Sequence, residues 1–379
     1  MITSTQSHRV TELIRDSRAY YCLECGKCTA RCPIARADKS FSPVLNIAKI
    51  IRGYDREIWR DRAIWACMIC EACSTACPSG VDYPRLVLGM RAEALKSGEE
   101  RSHRSELEHL FLGEGSREGF GVFRKVSAVQ TTLSGYDGGV VTSLLIKGMK
   151  RNFFDSAIVV RRGNNKKNEA VIAEDPDDII SAKGSKYELL PIPEKFVEAV
   201  QERGKKRIAV VGLPCQIFGL REIQRSMPDV DLTAIGLFCM ENFRYYLLKK
   251  RIKDLLHVDL DTVERAVISK GNFIVSDRGK TVSCRVKDLI TAVRTGCLFC
   301  TDFTSELADI SVGMVGSPDG YSTVIVRTQK GEELFNLLKD RDSTSADNGE
   351  IARMVSRKDK HGIDQLRKYL SLFWDADER

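Results

Sequence analysis

Long apolar runs are missing from this 379-residue chain. The nearest approach, Val140-Val141-Thr-Ser-Leu-Leu-Ile146, is cut at Lys147. That is far short of the roughly 18 uninterrupted apolar residues of a membrane-spanning helix. The opening residues, Met-Ile-Thr-Ser-Thr-Gln-Ser-His-Arg, contain no apolar core segment, so no secretory leader is expected. A dominant charge is also missing: 59 Lys and Arg are interspersed with 52 Asp and Glu for a net +7. The one basic cluster, Arg161-Arg162-Gly-Asn-Asn-Lys166-Lys167, reads as a solvated loop, which argues against nucleic acid. An anionic partner or coenzyme accounts for the surplus equally well. Finally, the chain lacks a G-x-G-x-x-G dinucleotide fingerprint.

Cysteine is what the chain has in plenty. Eight of its thirteen cysteines fall in two matching runs, Cys22-x2-Cys25-x2-Cys28-x3-Cys32-Pro33 and Cys67-x2-Cys70-x2-Cys73-x3-Cys77-Pro78. This is the spacing of a bacterial-type ferredoxin with two 4Fe-4S clusters, where the fourth cysteine of each run serves the other cluster. The expected ligand sets are Cys22, Cys25, Cys28 and Cys77, and Cys67, Cys70, Cys73 and Cys32. Structural zinc uses separated Cys/His pairs, and no histidine lies near these runs. A disulfide framework belongs to small secreted domains. The expectation is therefore a redox protein of a reducing, cytoplasmic compartment, with no membrane span.

At 43% hydrophobic and 29% charged residues the chain is ordinary globular protein, long enough for two or three domains. The expected fold is α+β and multidomain. Residues 1–98 form an all-helical two-cluster ferredoxin domain, with helices over 43–51 and 82–96, the second carrying Pro84 in its first turn. Residues 99–124 are polar and read as linker, with His103 and His109 as surface helix residues. From 125 to 345 helices and strands alternate as in an α/β domain, with strands at 157–160, 207–211, 232–238, 309–315 and 321–326 and an antiparallel part. Residues 346–379 read as a charged helical tail.

Four further cysteines are candidates for one site. Cys215 sits at a strand-to-helix turn, Cys239 ends a strand, and Cys297 and Cys300 form a Cys-x2-Cys pair. Open α/β sheets place ligands beyond the carboxyl ends of their strands, where these could converge. A third cluster, zinc and unliganded core thiols all fit that pattern. Cys284, inside the alternating segment 281–286, reads as a packed residue. Gly138-Gly139 precedes a helix and is the best phosphate cradle on offer, since exposed N–H groups there attract phosphate oxygens.

Taken together, these residues resemble a known family. Gly138-Gly-Val-Val-Thr142, Gly184-Ser-Lys-Tyr187, Gly212-Leu-Pro-Cys-Gln-Ile217, Phe238-Cys-Met-Glu-Asn-Phe243, Lys270-Gly-Asn-Phe273 and the stretch from Cys297 to Gly320 look like the beta subunit of coenzyme-F420-reducing hydrogenase. The resemblance covers about 125 to 345. It implies FAD, coenzyme F420 as hydride partner, and a 4Fe-4S cluster on Cys215, Cys239, Cys297 and Cys300, three clusters in all. It also implies Gly138, Gly139, Val140 and Thr142 at the FAD pyrophosphate, with Ser185, Lys186, Tyr187 and Lys270 as further contacts. Hydride transfer depends on positioning, so no catalytic acid or base is expected.

The first 98 residues are similar to the C subunit of heterodisulfide reductase, notably in Trp65-x-Cys-x2-Cys-x2-Cys-x3-Cys-Pro-x-Gly-Val81. The paired Cys-Cys-Gly motifs of that enzyme's catalytic subunit do not occur here, so the chain would deliver electrons to heterodisulfide-reductase-like A/B subunits or a related redox complex. Two alternatives stand beside this. The same flavin and cluster wire also appears in formate dehydrogenase beta subunits and other reductases with different substrates. A non-catalytic electron-transfer module is the second.

Overall fold

A computed structural model describes residues 4–96, 103–133, 138–163 and 167–374. The N-terminal region is helical. Its elements are α1 (Ser4–Asp16), α2 (Lys27–Arg31), α3 (Pro33–Ala37), α4 (Pro43–Ile51), α5 (Asp55–Arg60), α6 (Arg62–Trp65), α7 (Ala72–Ala76) and α8 (Tyr83–Lys96). Proline opens α3 and α4, where its missing N–H costs nothing, and Ser42 caps α4 by accepting from the Leu45 N–H. Trp59, Leu86, Val87 and Met90 are buried among Val10, Leu13 and Ile14 of α1. This core packs directly against Cys22, Cys28, Cys67 and Cys77.

The segment expected as linker is ordered where it is described; residues 99–102 lie outside the described residues. Helix α9 (His103–Phe111) is followed by the hairpin β1 (Ser116–Glu118) and β2 (Gly121–Phe123). Its polar composition hides a few apolar anchors: Leu107, Leu112 and Phe120 are buried. The wholly buried Arg327 fixes this segment to the next domain, donating to the carbonyls of Phe120 and Val122. His103 and His109 both lie on α9, and His109 is exposed as expected, while the side chain of His103 lies outside the described residues.

The second domain is built on an eight-stranded mixed sheet. In chain order come β3 (Lys125–Gln130), α10 (Val140–Lys150), β4 (Ser156–Arg162), β5 (Asn168–Ala173), α11 (Pro176–Ser181), α12 (Ile192–Gln201), β6 (Arg207–Gly212), α13 (Pro214–Arg225) and β7 (Asp231–Leu237). Then α14 (Tyr245–Leu256) leads to the separate antiparallel meander β8 (Arg265–Ser269), β9 (Asn272–Asp277) and β10 (Lys280–Arg285). The chain returns through α15 (Thr295–Leu298), β11 (Ile310–Gly313), β12 (Ser322–Val326), α16 (Gln329–Phe335), β13 (Asp342–Thr344) and α17 (Asn348–Trp374). The sheet order is β13-β3-β12-β11-β7-β6-β4-β5, with β11, β7, β6 and β4 parallel and antiparallel strands on both flanks. Arg161 and Arg162, expected in a loop, end β4; residues 164–166 lie outside the described residues.

Alternation along the strands builds two layers. Ile158, Ile208, Val210, Leu232 and Ala234 face α12 and α13, while Ala157, Val159, Ala209 and Ile235 face α10, α11 and α16. The first layer also takes in Ile34, Phe41, Ala66 and Met68, so the helical region and the sheet domain share one core. Arg62 reinforces the joint: it donates to Glu222 of α13 at 2.7 Å and is paired with Asp38. The tail helix is not peripheral either, since Ile351 and Val355 of α17 are buried with Phe120, Phe303 and Ile325. Residues 375–379 of the expected tail lie outside the described residues. Among the described residues no helix is long and apolar enough to cross a membrane.

Candidate metal centres and cofactor cleft

The two cysteine runs adopt the same backbone course. Glu24 and Ile69, at the same place in each run, have φ of 51° and 54°, and Gly26 and Glu71 follow at 75° and 66°. A β-branched residue such as Ile69 at positive φ is a genuine outlier, which a functional loop can sustain. Helices α2 and α7 then start from Gly26 and Glu71, and end at Cys32 and Cys77 in matching extended conformations.

Two cavities of similar size result. One is lined by Cys22, Cys25, Cys28 and Cys77 together with Cys73. The other is lined by Cys32, Cys67, Cys70 and Cys73. The fourth cysteine of each run thus sits at the other run's cavity. Burial pushes the Cys32 thiol up to about 12 and Cys70 to about 11, with Cys67 close enough to raise both. Four sulfur donors per cavity suit iron–sulfur clusters. The thiols ring their cavities instead of meeting at a point: among the described residues no group of three His, Cys, Asp or Glu is arranged to hold a single ion.

The third set comes together through topology. Strand β6 ends at Gly212 and α13 carries Cys215 in its first turn; Cys239 follows β7 and its N–H donates to the Phe303 carbonyl at 2.9 Å. Cys297 lies in α15, and its sulfur accepts from the Asn242 N–H at 3.4 Å. Burial raises the Cys215 thiol well above its ordinary value, and Cys297, Cys300 and Cys239 all add to that rise. Cys239 is likewise pushed up to about 12 and Cys297 to about 11, both chiefly by burial. Cys284 stands apart on β10, half-buried against the core of the small meander.

Three cations near these thiols escape a reading of the sequence. Lys358 of α17 is 2% exposed and donates to the Cys239 carbonyl, with Cys239 and Cys300 holding its ammonium pKa up against burial. Arg91 of α8 spans the carbonyls of Ile64, Trp65 and Cys67. Arg294 donates to the Cys70 carbonyl. All three act from other parts of the chain, so cysteine spacing carries no sign of them.

The second and third cysteine sets are in contact. A Cβ on Gly296 would sit 2.8 Å from the Ile69 side chain, and one on Gly219 would sit 2.6 Å from the Met68 sulfur. The loop Cys67–Cys70 therefore packs against both α15 and α13, beside Cys297 and Cys215.

The pyrophosphate candidates lie on the same edge of the sheet. Strand β3 runs in the direction of β11, because each is antiparallel to β12. The turn after β3 thus faces the same way as the ends of β4, β6, β7 and β11, the usual ligand side. Gly138 and Gly139 make this turn and α10 begins with Val140, Thr142 being in its first turn. Both glycines are required by packing: a Cβ on Gly138 would meet the Val129 carbonyl at 2.3 Å, and Gly139 has φ +69°. Ser185, Lys186 and Tyr187 line a cleft with Arg162, Lys183 and Arg265. Lys186 is turned onto the carbonyls of Ala182, Lys183 and Gly184, and the Tyr187 hydroxyl accepts from the Ile268 N–H at 2.6 Å. Those two side chains shape the cleft, whereas Ser185 is exposed. Lys270 is exposed at the β8–β9 turn with φ 46°.

Comparison with known proteins agrees with this layout. Residues 126–195 and 205–350 match the family described as coenzyme F420 hydrogenase/dehydrogenase, beta subunit, in its N-terminal and C-terminal parts. Residues 18–81 match the 4Fe-4S dicluster domain. The chain is 31% identical over 344 residues to the coenzyme F420-dependent sulfite reductase of Methanocaldococcus jannaschii, covering 82% of this chain but 53% of that protein. It is 33% identical to the beta subunit of the coenzyme F420 hydrogenase of Methanosarcina barkeri (61% of this chain, 80% of that one). It is 30% identical to a subunit of the F(420)H(2) dehydrogenase of Methanosarcina mazei (84% and 82%). A chain of the F420-reducing NiFe hydrogenase complex from Methanosarcina barkeri superposes with a TM-score of 0.63 at 28% identity, over 67% of this chain and 94% of that one.

Proposed function

Because this chain belongs to the coenzyme F420 hydrogenase/dehydrogenase beta-subunit family and carries a 4Fe-4S dicluster region ahead of it, we propose that it is the F420-linked electron-transfer subunit of a larger redox complex. It binds FAD and three 4Fe-4S clusters, and it delivers electrons to, or takes them from, a heterodisulfide-reductase-like partner. Bound FAD supplies the exchange between the hydride of F420 and the single electrons of the clusters.

The chain's own residues position these groups. Cys22, Cys25, Cys28 and Cys77 hold the outer cluster. Cys67, Cys70, Cys73 and Cys32 hold the middle one, and Cys215, Cys239, Cys297 and Cys300 the inner one. The turn at Gly138 and Gly139 lets the first N–H groups of α10, at Val140 and Thr142, receive the FAD pyrophosphate. Ser185 and Lys270 are proposed as further contacts, with Lys186 and Tyr187 keeping the cleft open. No side chain is asked to act as acid or base, since alignment of the two rings carries the hydride step.

The observation that carries this reading is the packing of Met68 and Ile69 on Gly219 and Gly296, which brings the middle and inner thiol sets to one interface. Anaerobic purification followed by iron and flavin analysis tests it. About twelve iron atoms, three four-iron clusters, with one FAD per chain are expected. Iron near eight with no FAD would contradict it.

A further inference from the structure

The outer cavity opens beneath an unusual surface. Tyr20 and Tyr21, on the turn that leads into Cys22, and Leu23 just after it are 56%, 63% and 70% exposed, and Cys25 itself is exposed. Helix α4 continues this face. Its Val44 and Ile47 line the same cavity, while Leu45, Lys49 and Arg52 project outward three and four residues apart, on one side of the helix. Arg52 reaches Glu24 at 3.1 Å, which ties α4 to the cysteine loop.

The apolar patch has a cationic rim. Arg18, Lys27, Lys49 and Arg52 are all exposed around it, against Glu24 alone, already paired. The charge is not spread evenly over the molecule. Residues 1–98 hold 15 Lys and Arg against 10 Asp and Glu, which is most of the net +7. An exposed aromatic and aliphatic centre within a charged rim is the usual anatomy of a recognition site.

We infer that this face, Tyr20 to Leu23 with the outer side of α4, docks a redox protein or subunit whose own one-electron centre lies under an acidic surface. This rests on the reading that Cys22, Cys25, Cys28 and Cys77 hold a cluster, and it adds the chemistry of the partner. The transfer itself is simple: one electron leaves the reduced outer cluster, the partner's centre is reduced by one, and no bond or proton changes. Opposite charges speed the encounter by factors of about 10 to 1,000 and lose that advantage with salt.

The test uses the full chain, reduced anaerobically with dithionite, freed of excess reductant, and mixed with an oxidised acidic plant-type ferredoxin as probe. Stopped-flow absorbance reads the second-order rate. The rate should fall at least tenfold in a Lys49→Glu/Arg52→Glu variant and in Leu45→Glu, stay within twofold in Lys49→Arg/Arg52→Lys, and drop as ionic strength rises. A charge-reversed variant with full iron and an unchanged rate would overturn the inference, as would a rate that does not depend on salt. So would a dimer of this chain, seen by sedimentation, that the same substitutions dissolve. Iron content and dithionite bleaching, read before mixing, report on the cluster reading independently of the docking face.

Discussion

The Arg294 guanidinium donates to the backbone carbonyl of Cys70 at 2.8 Å, across 224 residues of sequence. Arg294 stands one residue before α15, so it belongs to the inner thiol set, whereas Cys70 belongs to the middle one. Its Nη2 is also 3.7 Å from Glu71, and only 12% of the side chain is exposed. Its charge is felt by Cys70, Cys215 and Cys297 alike. One largely shielded cation thus stands between two thiol sets that, in the proposed reading, both gain negative charge on reduction.

Replacing Arg294 with Gln should lower the midpoint potentials of both the middle and the inner cluster, because a positive charge that favours the added electron is lost. Glu71→Gln should move them the other way. EPR-monitored redox titration of the anaerobic protein reads both shifts. Unchanged potentials in Arg294→Gln at full iron content would show that the contact is only a tether.

Cys297→Ser should take the iron count from about twelve toward eight atoms per chain, as three four-iron sites become two. Cys284→Ser should leave it alone, since that thiol lies on β10 with the small meander's core. Equal losses in the two variants would refute the ligand choice.

The joint between the helical region and the sheet domain should be sensitive to Arg62. Glu222 is fully buried, and Arg62 holds it through Nε at 2.7 Å. Arg62→Met leaves that carboxylate without its main partner, a loss of about 3 kcal/mol by analogy with other broken buried pairs. Adding Glu222→Gln should recover part of it, because the uncompensated charge is gone. Anaerobic denaturant unfolding measures both. Additive losses in the double variant would mean that the pair does not act as a unit.

The cysteine runs are legible in the sequence because their geometry is local: within each run the thiols follow one another at spacings of three or four residues. The repeat of positive φ at Glu24 and Ile69 is not, since neither residue type announces it. Cys215, Cys239, Cys297 and Cys300 can only be suggested, as their meeting depends on β6 and β7 being neighbours and on the return of the chain from the meander. Arg294, Lys358 and the Arg62–Glu222 pair stay hidden because each acts over more than a hundred residues. The polar stretch around α9 misleads for a related reason. Its few apolar residues look incidental until Phe120, at the turn of the β1–β2 hairpin, is seen wholly buried with Ile351 and Val355 of α17.

Lys186 gives a pH signature. Burial, with Arg162 nearby, pulls its ammonium pKa from 10.5 down to about 8. Between those values the unfolded chain holds a proton that the folded chain has released, so this group's contribution to stability rises with pH. It is fully present above 10.5 and lost as pH falls through 8. The stability gap between the wild-type chain and Lys186→Met should therefore shift toward the wild type from about pH 8 to 10, by no more than about 1.4 kcal/mol per pH unit. Denaturant unfolding at several pH values reads the gap, and a gap that is flat or shifts the other way would place the Lys186 pKa elsewhere.

In the proposed function, F420 and the clusters communicate through a flavin in this chain. Anaerobic stopped-flow mixing of the purified protein with reduced F420 tests it most directly. Oxidised F420 should appear as the flavin absorbance bleaches, followed by bleaching of the iron–sulfur absorbance. Protein with full FAD and iron whose flavin stays oxidised in the presence of reduced F420 would contradict it.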